Sequence, residues 1–510
     1  MTRTGRRNTA ARGPLVVGLD CSTTSVKAIA FDHEGTPAAH AQQSIPLHTP
    51  QPHAYEQDPA DWWSAARRVL KGVARQIDPG RIVAVGIANQ RETFVPLDVH
   101  GAPLRPAIIW LDERCKPEVG PFAARVGRGK IHSITGKPVD YAPVVYRLAW
   151  MKRHEPSLFR RIGMVADVHA YLTWKLTGLW RTSIASADPL GVLDMRTEYW
   201  SPVLLRALGL SAAQFPDPLP PGAGLGIIHA EAARATGLCE GTLVVAGGGD
   251  GQCGGLGAHV LSARRAYLNF GTAFVAGVYG TTYRVNDAFR TICAIAEEGY
   301  YYELSLRAGT FSMDWLLGSL FGVDRASMPS VHRRLAAEAL RVAPGCDGLR
   351  YLPYICGAMN PYWDVDARGA FTGVAASHGQ AHFYRAVMEG IAFEQEVALR
   401  SVERSVGSRV RELVAIGGGA ANPLWVSLMA DITGRRILIP ATLEASTLGA
   451  GIAAAMGAGW FETFAEAARS MTHIAGTVVP HAERARVYAR LLPSYARLYP
   501  ALHGTGTAKH

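Results

Sequence analysis

Apolar and polar positions alternate along this chain in two short runs that read as β-hairpins. Leu15 to Asp32, LVVGLDCSTTSVKAIAFD, is a strand, a polar turn and a strand, with apolar residues alternating through Val26, Ala28 and Ala30 or Ile29 and Phe31. Ala266 to Val275, AYLNFGTAFV, places the tight polar turn Asn269-Phe270-Gly271-Thr272 between two apolar runs. Thr23 and Thr272, one in each turn, stand 249 residues apart in a chain of 510, so the spacing predicts an approximate duplication. Further apolar runs end in polar groups. Ile82 to Ala88 is a β-branched strand followed by Asn89, Gln90, Arg91 and Glu92. Ile108 to Arg114, IIWLDER, is a second strand end. Leu243 to Ala246 is a strand broken by three glycines, with the lone carboxylate Asp250 and then Gln252 beyond them. Leu413 to Ile416 is a strand that runs into Gly417, Gly418, Gly419 and Ala420.

Helical spacing is predicted over Val144–Leu176, Ala381–Leu399 and Leu448–Phe461, and after Pro423, where Asn422 is the expected N-cap. Ile131–Pro138 reads as loop, and the proline-rich Phe215–Gly226 as a connector. The alternation of strands and helices is that of an α/β protein.

At 510 residues the chain should divide into two or three domains, and 48% hydrophobic with 18% charged residues is a globular composition. No apolar run reaches the roughly 18 residues of a membrane helix, so no membrane association is expected. The net charge of +10 is scattered, without a basic helix interleaved with aromatics, and no nucleic-acid partner is expected. The dense basic segment Met1–Arg12 lacks the apolar stretch of a signal peptide and reads as part of a disordered arm over residues 1–14. Seven cysteines without a C-x-x-C pair argue against a disulfide framework and a zinc site and suit a reducing cytoplasm.

The polar turns carry the candidate chemistry. Hydroxyls and turn amides at Cys21–Ser25 suit phosphate oxygens, and Asp20 beside them suits a hydrated Mg²⁺. Each turn alone is as readily an ordinary hairpin. Arg91 and Glu92 offer donors and acceptors to the hydroxyls of a sugar or polyol, or else form a solvated ion pair. Trp110 could wall a ligand or fill the core, with Asp112 beyond it. The loop Gly417–Gly419 and the helix start at Asn422 suit a nucleotide.

Together these motifs resemble the FGGY carbohydrate kinases, in family order from about Leu15 to about Glu466. The first turn is similar to the family's D-x-G-T-x-S, with Asp20, Thr23 and Ser25 in place and Ser22 where glycine is usual. Asp250 in GGGDGQ resembles the catalytic aspartate, Gly271-Thr272 the second phosphate turn, and Gly417 to Asn422 the adenosine motif. Gly369 to Glu389 fits the C-terminal signature, whereas the N-terminal signature around Pro143–Trp150 has Arg147 in place of lysine, one residue late. The resemblance implies two actin-like (ribonuclease H-like) ATPase domains with a cleft between them, residues 15–260 and 261–510. It further implies ATP and Mg²⁺ as cofactors, a small sugar or polyol as acceptor, and allows a homodimer. On the same basis Asp250 is the base, and Asp20 with Asp250 serves the metal. Thr23, Thr24, Ser25, Gly271 and Thr272 would hold phosphates, and Gln90, Arg91, Glu92, Trp110, Asp112 and Gln252 the acceptor.

The substrate pattern is mixed. NQRET at Asn89–Thr93 resembles glycerol kinases, but Lys27 stands in place of their arginine and Gln252 falls one place later than their glutamine. WLDER at Trp110–Arg114 and YLPY at Tyr351 resemble xylulokinases, yet their Met-His-Gly is absent. The rival readings are a non-catalytic actin-like ATPase and a sugar-responsive pseudokinase.

Overall fold

The computed structural model describes residues 13–504; the expected basic arm lies, but for Gly13 and Pro14, outside the described residues. Two sheets organise the chain. The first takes β1 (Leu15–Cys21), β2 (Ser25–Phe31), β3 (Pro37–Ser44), β4 (Ile82–Asn89) and β5 (Leu243–Gly249). Its order is β5-β4-β1-β2-β3, with Gly224–Ile227 added beyond β5. After the helix α1 (Asp250–Gly257), the second sheet takes β6 (Arg265–Phe270), β7 (Phe274–Gly280), β8 (Tyr300–Leu306), β9 (Glu412–Ile416) and β10 (Arg436–Pro440). Its order is β8-β7-β6-β9-β10, with Arg290–Cys293 beyond β8 and Ile474–Val478 beyond β10.

The two orders correspond strand for strand. In each, three antiparallel strands in sequence are followed by two parallel ones: β4 lies beside β1 as β9 lies beside β6, with β5 and β10 outside them. The duplication predicted from Thr23 and Thr272 is therefore present in topology. The central strands read as unbroken apolar runs because both faces are covered; all seven residues of β1 are buried.

Helices cover the sheets. α2 (Gln380–Val406) and α3 (Pro423–Thr433) belong to the second core, and Asn422 caps α3 by accepting from the Leu424 and Trp425 amides at 3.1 and 3.3 Å. α4 (Ala445–Gly457) also comes from the second half of the chain but packs against β1, β4 and α1, so the halves interlock. Its crossing with α1 is too close for side chains. A Cβ at Gly449 would lie 1.9 Å from the Cys253 carbonyl oxygen, and one at Gly257 would lie 2.0 Å from that of Ala445. Neither backbone atom can rotate away. Gly449→Ala is therefore expected to cost about 1–3 kcal/mol, read as a lower midpoint in urea unfolding. An unchanged midpoint would mean that the helices separate freely.

Four expectations about elements are corrected. Ile131–Pro138 is not loop throughout: Arg128–Thr135 is helical, closed by Gly136 at φ 72°. Val144–Leu176 is not one helix, since Pro156 and the strand Met164–Asp167, paired with Phe94–Leu97, divide it. Phe215–Gly226 contributes to two short strands rather than a bare connector. Gly247–Gly249 do not break the strand that starts at Leu243 but continue it to the end of β5, with a register shift between Val245 and Gly248; helix α1 follows despite four glycines in eight residues, of which Gly257 meets α4 while Gly251 and Gly255 lie against Arg91 and Tyr301.

Candidate active site

A cleft cavity of about 570 Å³ gathers residues from both halves of the chain, among them Arg91, Glu92, Trp110 and Asp250 from the first and Asn269, Gly271, Thr272, Arg290, Ser305 and Arg307 from the second. Asp250 reaches it because β5 ends at Gly249 and α1 begins on Asp250 itself, whose carboxylate accepts from the Gly251 amide at 2.7 Å. Gly249 is required here: a Cβ would come within 2.4 Å of the Arg91 side chain, which lies over this backbone. The Asp250 side chain is 42% accessible, yet its depth in the cleft raises its pKa, against which Arg91 lowers it.

Arg91 Nε stands 3.2 Å from Asp250, and its Nη1 donates to Glu303 at 2.7 Å. Arg290 donates to Glu92 at 2.7 Å and to the other oxygen of Glu303 at 2.5 Å. Five charged groups thus alternate in sign from Asp250 through Arg91, Glu303 and Arg290 to Glu92. Burial alone would raise the Glu303 pKa, but the two guanidiniums hold it down to about 2.

The two hairpin turns approach this cleft from opposite halves. Thr272 lines it, while Thr23 meets it through Trp110, whose indole donates to the Thr23 hydroxyl at 2.8 Å. Trp110 is therefore both a wall of the cavity and a hydrogen-bond partner of the first turn. Gln57 fixes the same turn by donating to the Thr23 carbonyl at 2.7 Å. Thr24 is exposed. The Arg147 guanidinium, fully buried, donates to the carbonyl oxygens of Glu92, Trp110, Asp112 and Ala142, so it ties together the loops that carry Glu92 and Trp110.

Behind the second turn lies another cavity, of about 650 Å³, lined by Gly418, Gly419, Asn422, Thr310, His332 and Tyr384 among others. Gly417, at φ 82°, turns the chain between β9 and this loop. The Gly271 and Thr272 carbonyls accept from the Thr310 and Gly309 amides, at 2.9 and 2.7 Å. The second turn thus stands between the two cavities.

Four residues expected to contact ligand are instead internal supports. Gln90 directly precedes Arg91 just past the end of β4, but its side chain turns inward and donates to Gln57 at 2.7 Å. Gln252 lies two residues along α1 from Asp250, about 200° around the helix, and donates to the Ala185 carbonyl at 2.7 Å. The Asp112 carboxylate is spent on the Tyr55 amide at 2.8 Å and on Arg114 at 2.9 Å. Ser25 is buried at the start of β2, with Gln42 on its hydroxyl at 3.3 Å. Conversely, Glu303, Arg290 and Arg307 were not singled out from sequence.

Asp20 is 7% exposed, and its Oδ1 has no hydrogen-bond partner. Burial, then the Asp250 charge, push its pKa up to about 7; Lys27, itself ion-paired to Glu444 at 2.7 Å, opposes them. An unpartnered buried carboxylate beside a second one is a hard-oxygen pair suited to Mg²⁺ that retains much of its water. The described residues contain no helix long and apolar enough to cross a membrane, and all seven cysteines are free.

Comparison with known proteins places this geometry. Residues 15–257 match the N-terminal domain of the FGGY family of carbohydrate kinases, and residues 266–458 match its C-terminal domain. A xylulose kinase of Bacillus subtilis is 28% identical over 97% of this chain and 98% of its own. That of Escherichia coli is 30% identical over 83% and 86% respectively. The crystal structure of xylulose kinase from Rhodospirillum rubrum superposes with a TM-score of 0.87 at 29% identity, covering 96% of this chain and 99% of that one. With both domains matched in order around one cleft, the chain belongs to the FGGY family of carbohydrate kinases, a family that uses ATP with Mg²⁺.

Proposed function

We propose that the protein transfers the γ-phosphate of ATP to a primary hydroxyl of a neutral ketopentose, with xylulose the first candidate. The observation that carries this reading is the position of Asp250, in one cavity with the Arg91–Glu92 pair and with Thr272 of the second turn. Asp250 accepts the proton of the attacking hydroxyl, and Arg91, Glu92 and Trp110 orient the acceptor. Thr23, Thr24, Gly271 and Thr272 hold the terminal phosphates, and the adenosine lies along Gly417–Gly419 and Asn422 in the second cavity. Asp20, beside Asp250, holds the hydrated Mg²⁺, which when bound neutralises phosphate charge. Phosphoryl transfer needs little covalent help, so positioning carries most of the rate.

Charge balance favours a neutral acceptor. Arg91, Arg290 and Arg307 face the cavity with Glu92, Glu113 and Asp250, three against three, which leaves no surplus cation for an acid or phosphorylated sugar. The names of the relatives favour xylulose. The Arg91–Glu92 pair specifically favours the alternative, a glycerol- or tetritol-like acceptor. A coupled ADP-release screen over glycerol, erythritol, tetruloses, pentuloses and pentitols separates them. Acceptor-dependent turnover is expected with one of these, and ATP hydrolysis indifferent to all of them would sink the reading in favour of a non-catalytic ATPase.

A further inference from the structure

Glu303 does not line the cleft cavity and has no exposed surface, yet each of its oxygens holds a guanidinium that does line it. The Tyr267 hydroxyl adds a hydrogen bond at 3.1 Å to the oxygen that Arg91 shares. Arg91 is thereby pulled two ways. Its contact with Glu303 is shorter, 2.7 against 3.2 Å, and its partner there is wholly buried, whereas the Asp250 side chain is 42% accessible. A buried pair is screened least, so Glu303 wins the contest. Arg290 is shared in the same manner between Glu303 and Glu92.

We propose that Glu303 is a positioning residue for the acceptor: from the second half of the chain it draws Arg91 back so that Asp250 of the first half stays open to an acceptor hydroxyl, and it anchors Arg290, which in turn holds Glu92 at 2.7 Å. Without that pull, Arg91 closes on Asp250 with both arms of its fork. This role rests on the acceptor-kinase reading above. It also makes the acceptor site a product of both halves: Arg290 stands opposite Glu303 on the adjoining strand of the second half, whereas Arg91 is aligned only when β8 lies against the first half's cleft.

The test compares Glu303→Gln and Glu303→Asp with the wild-type protein, using the acceptor that the ADP-release screen identifies. Each guanidinium sits on its own Glu303 oxygen, and the amide replaces one of those oxygens by a donor and removes the charge, so Glu303→Gln is expected to raise the acceptor KM about 10- to 100-fold and lower kcat, with the KM for ATP within about threefold of wild type. Glu303→Asp keeps the charge and is expected to fall between the two. A loss confined to kcat, with both KM values unchanged, would indicate a smaller folded fraction and overturn the proposal. So would failure of both variants to fold, because Glu303 would then be a structural anchor. Absence of acceptor-dependent turnover in the wild type would instead overturn the kinase reading and is seen before either variant is made.

Discussion

Asp250→Asn is expected to lower acceptor phosphorylation by about 10²–10⁴-fold while ATP affinity stays close to wild type. The substitution keeps the shape of the side chain and leaves an oxygen to accept from the Gly251 amide, now at 2.7 Å. What it removes is the basic carboxylate proposed to take the acceptor proton. Arg91 keeps its shorter contact with Glu303, so the neighbouring charges remain paired and the cleft should hold its form. ATP affinity is expected to survive because the residues proposed to hold the nucleotide lie elsewhere, at the two turns and at Gly417–Asn422. Turnover with saturating ATP and acceptor, beside ATP affinity from isothermal titration, decides the matter. Undiminished phosphorylation would remove Asp250 from the chemistry, and a parallel loss of ATP binding would make it a nucleotide ligand instead.

The sequence disclosed the parts of this site that local patterning controls. Polar turns between alternating strands gave Thr23 and Thr272, and strand ends gave Arg91, Glu92 and Asp250, because such features are written within a few residues. Asn422 was legible for the same reason, as a cap before Pro423. What the sequence hid is which side of an element faces the cleft. Gln90 and Gln252 sit beside true cleft residues, but the geometry of an extended segment and of a helix turns them inward. Asp112 was indistinguishable from a ligand-binding acid until Tyr55 and Arg114 were seen to consume it. Glu303 did carry a signal. Tyr302, Leu304 and Leu306 of β8 belong to the second core, while Glu303, Ser305 and Arg307 occupy the alternate positions. An acid, a hydroxyl and an arginine at spacing two in an otherwise apolar strand mark a polar face, and two of those three line the cleft. That pairing across the halves could not be read locally, since Arg91 and Glu303 are 212 residues apart.

Asp20→Asn is expected to separate stability from function: the metal-free protein gains stability above neutral pH, while MgATP-dependent turnover falls by about 10²-fold or more. Asp20 is almost wholly buried and its Oδ1 is unpartnered, so ionising it without a cation is unfavourable. Its pKa rises from 3.8 to about 7, first through burial and then through the charge of Asp250. A carboxyl whose folded pKa is raised binds its proton more tightly folded than unfolded. Its contribution is therefore fully present below about pH 4 and is lost as pH rises through about 7. At roughly 1.4 kcal/mol per unit, the rise from 3.8 to about 7 makes the loss at pH 8 on the order of 4 kcal/mol. The neutral amide avoids that loss but cannot answer a cation. Urea unfolding in EDTA should show the variant level with wild type near pH 4 and ahead of it at pH 8. Added Mg²⁺ and ATP should then stabilise wild type more than the variant, because an ion that binds only the folded state raises its stability by mass action. Equal unfolding curves at pH 8 would mean that Asp20 ionises at no cost, and equal Mg²⁺ response would take the metal away from this residue.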